Sequence, residues 1–416
     1  MAGKPSMADV AVKAGAGTAR PAGSPLEVFL AFLKLGCTSF GGPVAHLGYF
    51  RAEFVGRRRW LDDPAFTDIV ALCQFLPGPA SSQTGLMIGL SRAGYGGAAA
   101  AWLGFTAPSA LLMVLFAFAA PALSRVIGSD WLHGLRLAAV AVVAQAVLAM
   151  TRTLAPDRER ATIAVAAALA ALWAPSTITQ LAVIAAGLAI GFALLRDGAG
   201  AARPALPTIV GRRTGAAALA LFAILLVGLP FAAGASGSHA LDLAARFYRV
   251  GSLVFGGGHV VLPLLQAEVT PPGWIGHSAF LSGYGAAQAV PGPLFTFAAY
   301  LGAAMGPAPN GWAGAALCLV AIFAPSFLLI VGATPFWNAL RGRREARGAL
   351  MGANAAVVGL LAAALYDPVW TTAVTTPIDV GLVLAAFLLL TAWKAPPWLV
   401  VGLTAAAAAA LGFVHA

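Results

Sequence analysis

The chain has 416 residues, 60% of them hydrophobic and only 10% charged. Soluble domains average about 45–50% apolar and about 25% charged residues, so the 40 charged side chains here (25 Lys+Arg plus 15 Asp+Glu) cannot coat a soluble chain of this length. A net charge of +10 invites a nucleic-acid partner, but the arginines stand in short clusters between apolar runs, as in the cytoplasmic loops of a membrane protein; a lipid bilayer is expected and nucleic acid is not.

Residues 1–25 are rich in Ala, Gly and Pro and show no signal-peptide core; they read as a disordered cytoplasmic tail. The apolar stretches then follow in order. The first two, 26–55 and 66–92, are broken at Gly41-Gly42-Pro43 and at Pro77-Gly78-Pro79. Runs long enough to span a bilayer, about 20 residues, follow at 97–123, 131–154, 160–174 with 177–195 (divided at Pro175) and 216–234. Two more broken stretches, 243–269 at Gly256-Gly257-Gly258 and 278–306 at Pro291-Gly292-Pro293, precede runs at 311–334, 348–366, 376–393 and 396–414. Proline removes a backbone donor and glycine relaxes the backbone, so each break ends one half-helix and starts another.

The breaks recur because the sequence is duplicated. Lys34–Gly42 aligns with Arg249–Gly257 at an offset of 215, and Glu53 falls on Glu268. Trp60, Phe66 and Gln74 meet Trp274, Phe280 and Gln288 at 214, and Ala107-Pro108-Ser109 meets Ala324-Pro325-Ser326 at 217. Charge fixes the relative orientation of the copies. Arg51, Arg57, Arg58 and Arg59 lie in the first, Arg341, Arg343, Arg344 and Arg347 in the second, and Arg196, Arg203, Arg212 and Arg213 between them. These clusters share one side only if the broken segments return to the side they came from and 216–234 inverts the second copy. The expected fold is an all-α polytopic membrane protein with two inverted repeats, whose broken, re-entrant helices meet at the bilayer midplane. Its parts are the tail, a first repeat over 26–195, a basic connector with an inverting helix over 196–242, and a second repeat over 243–416.

Non-helical backbone at membrane depth must be buried or line a polar cavity. Its free N–H groups, at the positive end of the helix that follows, suit an anion, and inverted repeats with discontinuous helices are a plan of secondary transporters. The candidate substrate-binding residues are therefore those of the breaks: Gly41, Gly42, Pro77, Gly78, Pro79, Gly256, Gly257, Gly258, Pro291, Gly292 and Pro293. Polar neighbours join them: Ser81, Ser82 and Thr296, whose plainer role is capping, and Gln74 and Gln288, whose plainer role is to satisfy freed backbone groups. Lys34 and Arg249, at equivalent places seven residues before the paired glycines, compensate anion charge or snorkel. Glu53, Glu268, His46 and His259 suit proton coupling, although Glu53 has arginines beside it to pair with. Asn354 reads as helix–helix glue with an anion contact as the sharper alternative. Cys37, Cys73 and Cys318 form no metal or disulfide spacing; no catalytic set, metal or cofactor is expected.

Phe40-Gly41-Gly42-Pro43, Phe75-Leu76-Pro77-Gly78-Pro79, Phe255-Gly256-Gly257-Gly258-His259 and Gln288-Ala289-Val290-Pro291-Gly292-Pro293 resemble the chromate ion transporter family, in its long two-repeat form, over nearly the whole chain from about 26 to 414. The resemblance implies export of chromate, with sulfate as its isosteric relative, from the bacterial cytoplasm across the inner membrane, conferring chromate resistance. The residues Ala80–Thr84 lie at a variable place, which weakens any transfer of substrate detail. The expected partner is thus a chromate- or sulfate-like oxyanion, with the proton as the candidate coupling ion and a homo-oligomer admitted. The expected mechanism is alternating access by a multi-pass protein with a cytoplasmic N-terminus; an anion channel and an integral membrane enzyme are the competing readings.

Overall fold

The computed structural model describes residues 23–195, 210–340 and 342–415, with side chains to 412. Most of the tail expected at 1–25, and Arg196, Arg203 and Arg341 of the basic clusters, lie outside the described residues. Among those described, the regular structure is entirely helical. Six helices are long and apolar enough to cross a membrane, and the chain is a polytopic membrane protein.

In the first copy, α1 (Pro25–Thr38) and α2 (Gly42–Phe50, prolonged by a wide turn to Arg57) flank the first break, and α3 (Asp63–Phe75) and α4 (Ala80–Ile127) flank the second. Local chemistry sets these boundaries. Ser24 and Asp62 cap α1 and α3 by accepting from the amides of Glu27 and Ala65, each with a proline in the first turn. Helix α4 is interrupted at Ala93 and Gly94, where the backbone leaves helical angles; its first arm ends there and its second crosses the molecule. α5 (Asp130–Leu154), α6 (Arg158–Trp173) and α7 (Thr177–Leu194) complete the copy, and the division at Pro175 is made by Ser176, which caps α7. Helix α8 (Arg212–Ser236) leads to the second copy. That copy comprises α9 (His239–Leu253), α10 (Val261–Val269), α11 (His277–Ala289), α12 (Phe297–Ala304), α13 (Gly311–Ala333), α14 (Arg344–Ala364), α15 (Pro377–Thr391) and α16 (Pro397–His415).

The broken segments are re-entrant. After the first break the chain runs back along itself: Phe32 stacks on Phe54 with ring centroids 4.8 Å apart and meets Phe50 at 5.4 Å. The second hairpin returns Arg92 to Glu27 near the start of α1 (3.2 Å) and over the Trp60 ring at 5.0 Å. The second copy repeats the pattern, with Tyr300 donating to the Ala279 carbonyl (2.9 Å) and Gly306 to that of Trp274 (3.1 Å).

Helix directions show that the copies are inverted. Arg160 touches Met351, and a methyl on Gly359 would strike Ala164, so α6 and α14 run the same way. α6 follows α5 through a three-residue turn and runs opposite to it, yet α14 is the equivalent of α5. The copies also interlock. α14 packs on α6 and α7 of the first copy, and α5 on α15 and α16 of the second. The contacts are glycine against backbone (Gly187 on Gly352, Gly191 on Gly348, Gly134 on Thr404), the close approach that small residues permit in membranes. Outward positions such as Val165, Ile178, Phe231 and Leu384 are exposed and apolar, a lipid-facing pattern. With this topology residues 51–62, 152–160, 210–213 and 342–347 share one face, called the basic face below.

Candidate anion site

Each break is held open by backbone that glycine accommodates. Gly41, Gly42, Gly78, Gly256, Gly257 and Gly292 all have φ between 75° and 146°, where an L-residue pays steric strain. The four breaks then join reciprocally: the Gly78 amide donates to the Val254 carbonyl (2.7 Å), and Gly292, its equivalent, donates to Ser39, the equivalent of Val254 (2.9 Å). One pseudo-two-fold relation therefore passes through the tips. The duplicated Ala-Pro-Ser motif sits on it. Ser326 lies 2.9 Å from where a Gly78 side chain would begin, and Ser109 lies 2.8 Å from the same point on Gly292.

A cavity of about 790 Å³ opens between the copies. Its wall includes Gln74, Gly78, Gly256 and Gly257 from the tips, and α3 and α14 face each other across it through Asp68, Arg347 and Asn354. Among the described residues, the amides of Gly256 and Gly257 donate no backbone hydrogen bond, leaving donors beside the cavity at the start of a helical arm. Gln74 is exposed here, whereas the break it precedes is satisfied by Gln83, fully buried, which donates to the Pro77 carbonyl (2.6 Å). Asp68 accepts from the Trp337 indole (3.2 Å) on the connection after α13.

On the opposite face the equivalent helices are shut together. Ser282 of α11 donates to the Leu132 carbonyl (3.3 Å), Arg136 of α5 donates to Ser278 (2.9 Å), and a methyl on Gly285 would collide with Leu135. Gln288 is only partly exposed, and its amide nitrogen is buried without a hydrogen-bond partner among the described residues. The asymmetry extends to the arms after the breaks: Val44 is 85% exposed, while its counterpart His259 is hydrogen-bonded to Tyr284 (2.9 Å).

The other residues singled out in the sequence lie apart from this cavity. Lys34 and Arg249 face the repeat carboxylates. Glu53 is held by Arg58 (2.7 Å), Arg57 (3.0 Å) and Lys34 (3.7 Å), and Glu268 by Arg249 (2.8 Å) and Arg246 (3.3 Å). Arg246 reaches Glu268 from 22 positions away only because α10 folds back on α9. His46 is buried 3.4 Å from Ser81, and the Ser82 hydroxyl is buried without a partner among the described residues. Thr296 donates to the Pro293 carbonyl (2.9 Å), a capping bond. Gly41 is exposed and a methyl on Gly42 would meet nothing within 4 Å, and Gly258 is buried against Pro43. Sequence reading left Arg347 among the loop charges. The available signal was spacing, since Arg347, Leu350 and Asn354 follow the i, i+3, i+7 rhythm of one helix face, and all three line the cavity.

The family model described as "Chromate transporter" matches residues 26–192 and 241–413, one match to each copy. The chain belongs to the chromate transporter family. Among its relatives, the "Chromate transport protein" of Pseudomonas aeruginosa is 29% identical over 374 residues, covering 88% of this chain and 87% of that one. The "Probable chromate transport protein" of Synechococcus elongatus is 26% identical (83% and 84% covered), and the "Chromate transport protein" of Cupriavidus metallidurans 25% (82% and 81%). No solved structure matches the chain. As a chromate transporter family member, the protein is a membrane transporter for an oxyanion class of substrate, and the resemblance drawn from its Gly-Gly and Pro-Gly-Pro breaks holds.

Proposed function

We propose that this protein exports chromate from the cytoplasm by alternating access, with sulfate recognised through the same tetrahedral geometry. The observation that carries the reading is the asymmetry of an otherwise two-fold arrangement: one cavity reaches the joined tips from the basic face, while its counterpart is shut by α11 on α5. The positive-inside rule supports a cytoplasmic basic face; on this reading the protein lies in the inner membrane and the cavity loads from the cell. Closing α3 onto α14 and parting α11 from α5 would exchange the two sides around the tips, the rocking motion open to inverted repeats.

Energetics favour this direction. Moving one charge through 100 mV is worth about 2.3 kcal/mol, so a dianion leaving an inside-negative cell gains about 4.6 kcal/mol, equivalent to a gradient of about two-thousandfold. Export needs no coupled proton, in keeping with Glu53 and Glu268 both being held by cations. Flux by purified protein in liposomes tests the reading. Chromate movement should saturate, follow an imposed potential, persist without a pH gradient and be inhibited by sulfate. Linear, non-saturating flux would favour a channel, and flux that requires a pH gradient would restore a proton to the cycle.

A further inference from the structure

Arg347 is unusual among the cations inside this molecule. Arg246 and Arg249 have Glu268, and Arg92 has Glu27. Arg347 lines the cavity with its Nε and one terminal nitrogen buried and without a hydrogen-bond partner among the described residues. Arg347 is half-buried, and buried guanidinium donors without an acceptor are costly; their fork matches two oxygens of a tetrahedral oxyanion. Two turns deeper on the same helix, the Asn354 amide is in the same condition. Its Oδ1 is buried, has no partner among the described residues, and lies 3.4 Å from where a Gly256 side chain would begin. Which end of an amide points into a site is set by what it binds, so the same position can present an N–H2 to an anion. Among the described residues that line the cavity, Arg347 is the one cation and Asp68 the one carboxylate, and Asp68 is tied to Trp337.

We propose that α14 of the second copy supplies the side-chain half of the anion site: Arg347 binds the tetrahedral dianion and sets the preference for two charges over one, and Asn354 receives it beside the Gly256-Gly257 break. This rests on the transport reading above but concerns a helix outside the broken segments. The site is then shared: the first copy contributes Gln74 and the Gly78 tip, and the second contributes the charge.

The test compares the full-length protein with Arg347→Gln, Arg347→Lys and, as a control, Arg344→Gln at an exposed position on the same helix, in proteoliposomes and by equilibrium sulfate binding in detergent. Arg347→Gln should raise the KM for chromate and the Kd for sulfate about tenfold or more. It should also lower the ratio of inhibition by sulfate to inhibition by perchlorate, a tetrahedral monoanion, by a similar factor. Arg347→Lys should recover part of both, and Arg344→Gln should match the parent. If Arg347→Gln is not recovered folded, Asn354→Asp, which sets a carboxylate beside Gly256, should weaken sulfate binding to the same extent. Unchanged KM, Kd and dianion preference in whichever variant folds would overturn the proposal. Sulfate binding lost in Arg347→Gln, together with no chromate flux by the parent, would overturn the transport reading and leave this one standing.

Discussion

On one face of the molecule α11 lies against α5, hydrogen-bonded through Ser278 and Ser282 to Arg136 and Leu132. On the other, the equivalent helices α3 and α14 stand across a cavity of about 790 Å³. Both pairs come from the same duplicated sequence. What differs is the side chains at matched positions: glycine and serine (Ser282, Gly285) on the shut face, and Asp68 and Ala71 on the open one. Small residues let α11 approach the α5 backbone closely, while a carboxylate and a methyl hold α3 back. Duplication thus supplied two equivalent helix pairs, and substitution made them unequal; on the transport reading proposed above, they are the two gates and the open one faces the basic side.

The comparison breaks most sharply at the tips. Gly78→Val puts a branched side chain where Gln83 and Ser326 already stand, at φ 121°, and disturbs the bond that joins the copies. Chromate uptake by everted vesicles should be abolished while the protein stays in the membrane. Gly42→Ala meets nothing within 4 Å and carries only the backbone strain of a positive φ, about 1–2 kcal/mol; its uptake should be reduced rather than lost. Equal effects of the two would show that the tips are not joined as described.

A second, smaller contrast lies in the paired carboxylates. Arg249 and Glu268 have side chains 23% and 3% exposed, whereas Lys34, facing Glu53, is 55% exposed. Arg249→Gln leaves a buried carboxylate short of a partner and should cost about 3 kcal/mol of stability, read as a clear fall in Tm in detergent. Lys34→Gln should cost less than about 1 kcal/mol, because Arg57 and Arg58 remain on Glu53. A reversed order would show that the two carboxylates are not held as the contacts indicate.

Much of the fold was legible because its signals are local. Glycine and proline at the breaks, a fixed offset between matching residues and the arginine distribution carry the re-entrant, inverted plan without any knowledge of contacts. What was not legible arises between the copies. Gln83, rather than the duplicated Gln74, satisfies the Pro77-Gly78-Pro79 break, because that break folds α4 back over Pro77. Arg246 meets Glu268 only once the hairpin closes. Asn354 lies beside Gly256 of the second copy's break, and Arg347 lines the same cavity, whose walls come from both copies.

The central claim is that the joined tips face one side of the membrane at a time. Its most direct measurement is the labelling of Gln74→Cys and Gln288→Cys by membrane-impermeant maleimides applied from each side, with and without chromate. Without substrate, the cysteine at 74 should react from the basic face at least tenfold faster than the one at 288 reacts from the other. Saturating chromate should slow the first and speed the second. Simultaneous reactivity of both positions, unaffected by chromate, would contradict the account.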